Sequence, residues 1–128
     1  MNRIYLSAHE ESPAHATLNR RVADLLRDYA FSVFIPPSES VSADLMTPID
    51  FSGLMIVIFH KASPTPRMDF EMAEAVTRHL PMIAITTIPV QELPDSVVAQ
   101  FVKIIPAPND HDDLLHPLMT ALNRHFPG

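Results

Sequence analysis

Glu71 stands on the apolar side of a helical run, where the spacing calls for a hydrophobe. In Arg67-Met68-Asp69-Phe70-Glu71-Met72-Ala73-Glu74-Ala75-Val76 the inward positions are Met68, Met72, Ala75 and Val76, and Glu71 lies three residues after Met68 and four before Ala75. Its carboxylate is expected to point toward a sheet. It also sits near a helix start, after Pro64 and Pro66, where unpaired backbone N–H groups favour negative charge. A carboxylate partly withdrawn from water yet held ionised in this way can act as a nucleophile. The plainer alternative is that Glu71 caps its own helix or pairs with Arg67 at i, i+4.

The elements that must position this group alternate along the chain. Strand-like and helical runs follow one another, which is the mark of βαβ units and of a mostly parallel sheet covered on both faces. Ile4 to Ala8 reads as the first strand. Ser12-Pro13 then supplies a cap with Pro at the first helical position, and Leu18, Val22, Leu25, Leu26 and Tyr29 keep one apolar stripe. Phe31 to Ile35 makes a second strand. Ala43 to Phe51 is ambiguous, because Pro48 interrupts a long helix; one short helix or two turns are expected. Leu54 to Phe59 is a continuous aliphatic run suited to a central strand, and Pro81 to Thr87 is the next. Between Ile88 and Gln100 lies a Pro-marked loop in which Pro94 to Gln100 forms a helical turn or two. Val102 to Ile105 is a short fifth strand. Asp110 to Phe126 carries the last helix, in which Pro117 either bends the helix or marks a later start.

In an open parallel sheet the ligand crevice lies beyond the C-terminal strand ends. That rule brings Ser7, Ala8 and His9, Pro36 to Ser38, His60 to Pro66, and Thr86-Thr87 to one rim, with Glu71 on the helix that opens beside it. Ser7 and His9 are therefore candidate substrate-binding residues.

Composition limits the alternatives. A chain of 128 residues, 47% hydrophobic, makes one domain around one core. The formal charge of −6 argues against general nucleic-acid binding, which needs a basic face. No cysteine is present, which excludes disulfides and thiolate metal sites and fits a cytoplasmic protein. The start is too short an apolar run for a signal peptide, and no segment approaches the roughly 20 apolar residues of a membrane span. His9-Glu10-Glu11 and His111-Asp112-Asp113 contain ligand types but lack the spacing of a metal site, and the latter is expected to charge the start of the last helix. No Gly-rich phosphate cradle marks a dinucleotide or ATP site, so no cofactor is expected.

The stretch from Ser52 to Ile85 resembles the core signature of the nucleoside 2-deoxyribosyltransferase family, which includes a 2'-deoxynucleoside 5'-monophosphate N-hydrolase branch. The likeness rests on the strand Leu54 to Phe59, the loop His60 to Pro66, the helix start Arg67 to Ala75 and the strand Pro81 to Ile85, with Arg3 to Ala8 and Phe31 to Pro37 similar to the family's first two strands. It implies a single-domain α/β fold, a Rossmann-like or flavodoxin-like three-layer sandwich with a five-stranded, mostly parallel sheet. It also implies that Glu71 is the nucleophile, that Asp44, with Asp50 in reserve, manages the proton on the leaving base, and that Tyr5 orients Glu71 or borders the sugar. Thr65 falls where a hydroxyl touches the 5' group, although a loop Thr also serves as a helix cap. The implied ligand is a small nucleoside or nucleotide, and the implied assembly a homo-oligomer, dimer or larger. The chain departs from the family where Gly-Thr is replaced by Arg67-Met68 and an Asp by Gly53. Arg67 could supply a positive charge for an anion at the helix start. Two readings follow: N-glycosidic bond cleavage or base exchange through Glu71, or a catalytically silent relative that binds a nucleotide-like ligand or a protein.

Overall fold

The computed structural model describes residues 3–37, 39–108 and 113–126. Strands β1 (Arg3–Ala8), β2 (Ser32–Phe34), β3 (Leu54–Phe59), β4 (Met82–Thr86) and β5 (Lys103–Pro106) form one sheet in the order β2-β1-β3-β4-β5. Every pairing is parallel, with Ile4 opposite Leu54 and Ala8 opposite Ile58 across the central β1/β3 pair. The helices are α1 (Pro13–Asp28), α2 (Ser42–Asp50), α3 (Pro66–Thr77), the single turn α4 (Asp95–Val98) and α5 (Leu115–His125). This is the five-stranded α/β sandwich expected from the sequence. The strand order reverses between β1 and β3, and in such sheets that reversal opens a crevice at the C-terminal ends.

Both faces of the sheet are covered, so the core has two leaflets. Ile4 and Leu6 of β1 and Leu54, Ile56 and Ile58 of β3 pack with Leu18, Val22 and Leu26 of α1 and Leu118 and Leu122 of α5. Their neighbours Tyr5, Met55, Val57 and Phe59 face Leu45 and Ile49 of α2 and Met68, Met72 and Ala75 of α3. The alternation of side chains along β1 thus sends Tyr5 and Ser7 to the α3 side and Leu6 to the α1 side.

Local chemistry sets the helix ends. Ser12 caps α1 by accepting from the His15 N–H at 3.3 Å, with Pro13 at the first position. The C-terminal ends of α1 and α3 both close on a left-handed residue, Ala30 (φ 68°) and His79 (φ 56°). In each, two backbone bonds fold back over the last turn, Ala30 N–H to Arg27 O and Phe31 N–H to Leu26 O, then His79 N–H to Val76 O and Leu80 N–H to Ala75 O.

Two boundaries resolve what the sequence left open. The expected Ala43 to Phe51 segment is one nine-residue helix, Ser42–Asp50, capped by Phe51 and unbroken by Pro48, with Leu45 and Ile49 in the core. The last helix begins at Leu115 rather than Asp110, with Pro117 in its first turn, where its missing N–H has no helical partner to lose. Residues 110 to 112 of that expected helix start, and Ser38 of the expected rim, lie outside the described residues.

Candidate functional site

Glu71 is fully buried and aimed inward, on the second turn of α3. Two hydroxyls from β1 meet its carboxylate: Tyr5 Oη donates to Oε2, and Ser7 Oγ donates to Oε1 at 2.7 Å. Both donors are fully buried, and the Tyr5 ring leans on Phe34 of β2 with centroids 5.4 Å apart. The Arg67 Nε lies 3.7 Å from Glu71 Oε1, too far for a hydrogen bond, and is itself buried without a hydrogen-bond partner. A carboxylate, two fixed hydroxyls and a guanidinium thus meet at the C-terminal end of β1, beside the strand-order reversal.

The electrostatics follow from burial. Desolvation raises the Glu71 carboxyl above its ordinary range, while the bonds from Tyr5 and Ser7 and the Arg67 charge act to lower it. Burial, and then the adjacent carboxylate, push the Tyr5 phenol well above its usual range, so it remains a proton donor at any working pH. The oxygen pair is therefore held by protonated hydroxyls and faced by one cation.

Thr65 is the N-cap of α3, its Oγ1 accepting from the Met68 N–H at 3.1 Å. That bond fixes the turn that carries Arg67 and Glu71. Arg67, Thr65, Ala8 and Ser40 border a hollow of about 330 Å³ at the rim. A second hollow, of about 320 Å³, lies on the α1 side of β1 and is lined by Arg67 with Ala8, Asn19 and Arg20. Glu71 lines neither, whereas Arg67, whose Nε is 3.7 Å from its carboxylate, lines both.

The other expected residues divide. Asp44 lies exposed in the first turn of α2, which follows the C-terminal end of β2, and its carboxylate accepts from the Val41 N–H at 3.4 Å. Asp50 is not brought to the site. It ends α2 near the N-terminal ends of β1 and β3, where Arg78 Nε donates to it. His9 is fully buried with both ring nitrogens engaged: Nε2–H donates to Ser63 O at 2.8 Å, and Nδ1 accepts from the His60 N–H at 3.2 Å. Its imidazole pins the loop after β3 to the end of β1 and has no group left for a ligand.

Asn19 and Arg20 were missed by the sequence reading. Asn19, nearly buried, donates to His9 O at 2.9 Å and accepts from His60 Nε2 at 3.0 Å, which joins α1 to both strand ends. Asn19 follows Leu18 on the apolar stripe of α1, and that polar residue beside the stripe was the available signal. Arg20 sits on the exposed flank and gives none. Among the described residues no cluster of three or more His, Cys, Asp or Glu is gathered to hold a metal ion. No described helix is long and apolar enough to cross a membrane.

No family model matches the sequence, and no curated protein matches it. Solved structures are similar to it at the level of fold. A conserved protein from Enterococcus faecalis V583 superposes with TM-score 0.70 at 12% identity, over 94% of this chain and 99% of that one. The 2-deoxyribosyltransferase of Bacillus psychrosaccharolyticus does so with TM-score 0.66 at 16% identity, over 88% and 93%. A CheY-like receiver domain from Methanospirillum hungatei JF-1 gives TM-score 0.63 at 14% identity, over 98% and 97%. An enzyme and a receiver domain thus share this architecture, and at such identities the likeness shows the fold alone.

Proposed function

We propose that this protein cleaves, or exchanges the base across, the N-glycosidic bond of a deoxynucleoside or its 5'-monophosphate, with Glu71 as nucleophile. One observation carries the reading: the buried Glu71 carboxylate receives hydroxyl bonds from Tyr5 and Ser7 at the C-terminal end of β1. A structural carboxylate gains nothing from such burial, since desolvating it costs more than two neutral hydrogen bonds return. The fold shared with a 2-deoxyribosyltransferase supports the same reading.

In the reaction a Glu71 oxygen attacks the anomeric carbon as the bond to the base breaks, and the electron pair leaves with the base, which takes up a proton. The sugar passes through an oxocarbenium-like state into a glycosyl ester on Glu71. Water or a second base then displaces the carboxylate. Tyr5 and Ser7 orient the nucleophile, and Asp44 at the rim is the group assigned to the leaving base. Substrate occupies the hollow bordered by Thr65, Arg67 and Ser40. A second subunit completing that open hollow is part of the proposal, and sedimentation of the purified chain tests it.

The deciding experiment incubates the protein with deoxynucleosides and their 5'-monophosphates and separates free base by chromatography. Base release that is lost in Glu71→Gln is the expected result. A second reading, a binding module without turnover, draws on the zero exposure of Glu71. It predicts no base release and equal nucleotide binding by the wild type and Glu71→Gln.

A further inference from the structure

Strand β5 is one edge of the sheet, and among the described residues no strand pairs with its outer side. Helix α5 runs back along it on the α1 side, with Leu118 and Leu122 in the core. Ala121, on that same inward face, offers only a methyl group, and a hollow of about 450 Å³ opens there against Val102 and Lys103.

Helical spacing gives the hollow two unlike walls. Pro117, Ala121 and His125 form one row at i, i+4, apolar except at its last residue, and His116, Thr120 and Arg124 form the polar row beside it. Across from them Val102, 57% exposed, adds apolar surface and Lys103 a cation. Because α5 returns antiparallel to β5, its last turn comes back to the start of the strand, so Arg124, His125 and Lys103 gather at one end. The charge is one-sided: the chain has fifteen acids, and neither β5 nor α5 contains one. The side chains of Lys103, His116, Arg124 and His125 make no hydrogen bond or ion pair with another described residue. Arg124 and His125 complement the negative pole of their helix. That account does not reach Lys103 on the strand, or His116 in the first turn, where the pole is positive.

We propose that this hollow binds a small organic carboxylate with an aromatic or branched apolar body. Lys103 and Arg124 hold the carboxylate, and the body lies over Ala121 and Pro117 against Val102. A largely apolar wall with a few charged groups at one end is the usual make-up of small-molecule sites, and about 450 Å³ falls within their range. The flat Arg124 guanidinium matches a carboxylate through paired, charge-assisted bonds. The end of α5 that meets Lys103 presents carbonyls rather than free N–H groups, which disfavours a phosphate and leaves a head that side chains alone can hold. The hollow lies on the opposite face of the sheet from Glu71 and at its far edge, so it stands apart from the chemistry proposed there.

Titrations of the full chain test the site. The probe 2-naphthoate, followed by calorimetry and thermal shift, should bind and raise the melting temperature. Acetate, which has the charge without the body, and 2-naphthamide, which has the body without the charge, should each bind about tenfold more weakly or worse. Lys103→Ala and Arg124→Ala should each weaken naphthoate binding by about tenfold, as expected when a charge-assisted pair is lost. Ala121→Leu fills the floor while keeping every charge and should abolish binding, with circular dichroism reporting the fold. Should that buried position not tolerate leucine, the exposed Lys103 and Arg124 variants decide. Arg20→Ala, in the separate hollow beside β1, should leave binding unchanged. No binding by the wild type, equal binding of naphthamide, or equal loss in Arg20→Ala overturns the site. Tighter binding of 2-naphthyl phosphate than of naphthoate overturns the carboxylate assignment, and tighter binding of an oligoglutamate peptide overturns the small ligand in favour of an acidic protein segment.

Discussion

At the residue scale, the buried Glu71 and the half-buried His60 are ionisable groups whose pH effects have the same native preference for neutrality but opposite signs. The Glu71 carboxyl is raised above 4.5, chiefly by burial. Above that pH the unfolded chain gives up its proton first, so the native state loses stability as pH climbs through the raised value. Glu71→Gln should therefore match the wild type below pH 4.5 and melt higher at neutral pH, by roughly 3–5 °C per kcal/mol recovered at this chain length. Its base release should fall on the order of 10³-fold or more. His60 is held down at about 4, first by burial and then by the charges of His15 and His9. Its ring stacks on His15 at 4.2 Å. Here the unfolded chain takes up the proton first, so stability present above pH 6.5 is lost as pH falls toward 4. His60→Gln should make that acid limb shallower by about 1 kcal/mol, a value discounted for partial exposure. The inward aim of Glu71 was legible because a charged residue broke a helical apolar stripe; Ser7 was expected at the rim because it nears the C-terminal end of a parallel strand, and Tyr5 through the family resemblance alone. The structural duty of His9 was not. Its partners are the backbone groups of Ser63 and His60, which have no signature in residue type.

At the element scale, the start of α3 sets the site. Thr65 caps the turn that carries Arg67 and Glu71. Thr65→Ala should cost about 1 kcal/mol in stability by chemical denaturation. It should also lower base release beyond what that loss explains, and Thr65→Ser should recover both. If activity follows stability alone, Thr65 is a cap without a positioning role. The α1 start was legible for the same chemical reason, a Ser-Pro pair ahead of an apolar period. The course of α2 was not, since Pro48 forbids one backbone bond and only the tertiary burial of Leu45 and Ile49 outweighs that loss. Asp50, held in reserve on the resemblance alone, is the last residue of the continuous helix and so lies near the N-terminal strand ends, away from Glu71.

At the scale of the whole molecule, the all-parallel sheet followed from alternating strand and helix signals, because strands buried on both faces are written as unbroken aliphatic runs. The two hollows that divide at Arg67 were not legible, since they depend on how side chains from α1 and α3 lean across β1. The sheet also has two unlike edges. The Glu71 carboxylate meets hydroxyls carried by β1 itself, Ser7 next to its C-terminal residue, whereas Ala30 and His79, left-handed residues without glycine's freedom, turn the chain at the N-terminal ends. A side chain in that conformation costs roughly 1 kcal/mol against glycine. Ala30→Gly and His79→Gly should each raise the unfolding free energy by about 1 kcal/mol, less the added freedom of the unfolded chain, with base release unaltered. Robustness and the proposed reactivity are accordingly adjustable at separate poles, so a hardier scaffold can be made without retuning the chemistry proposed for it.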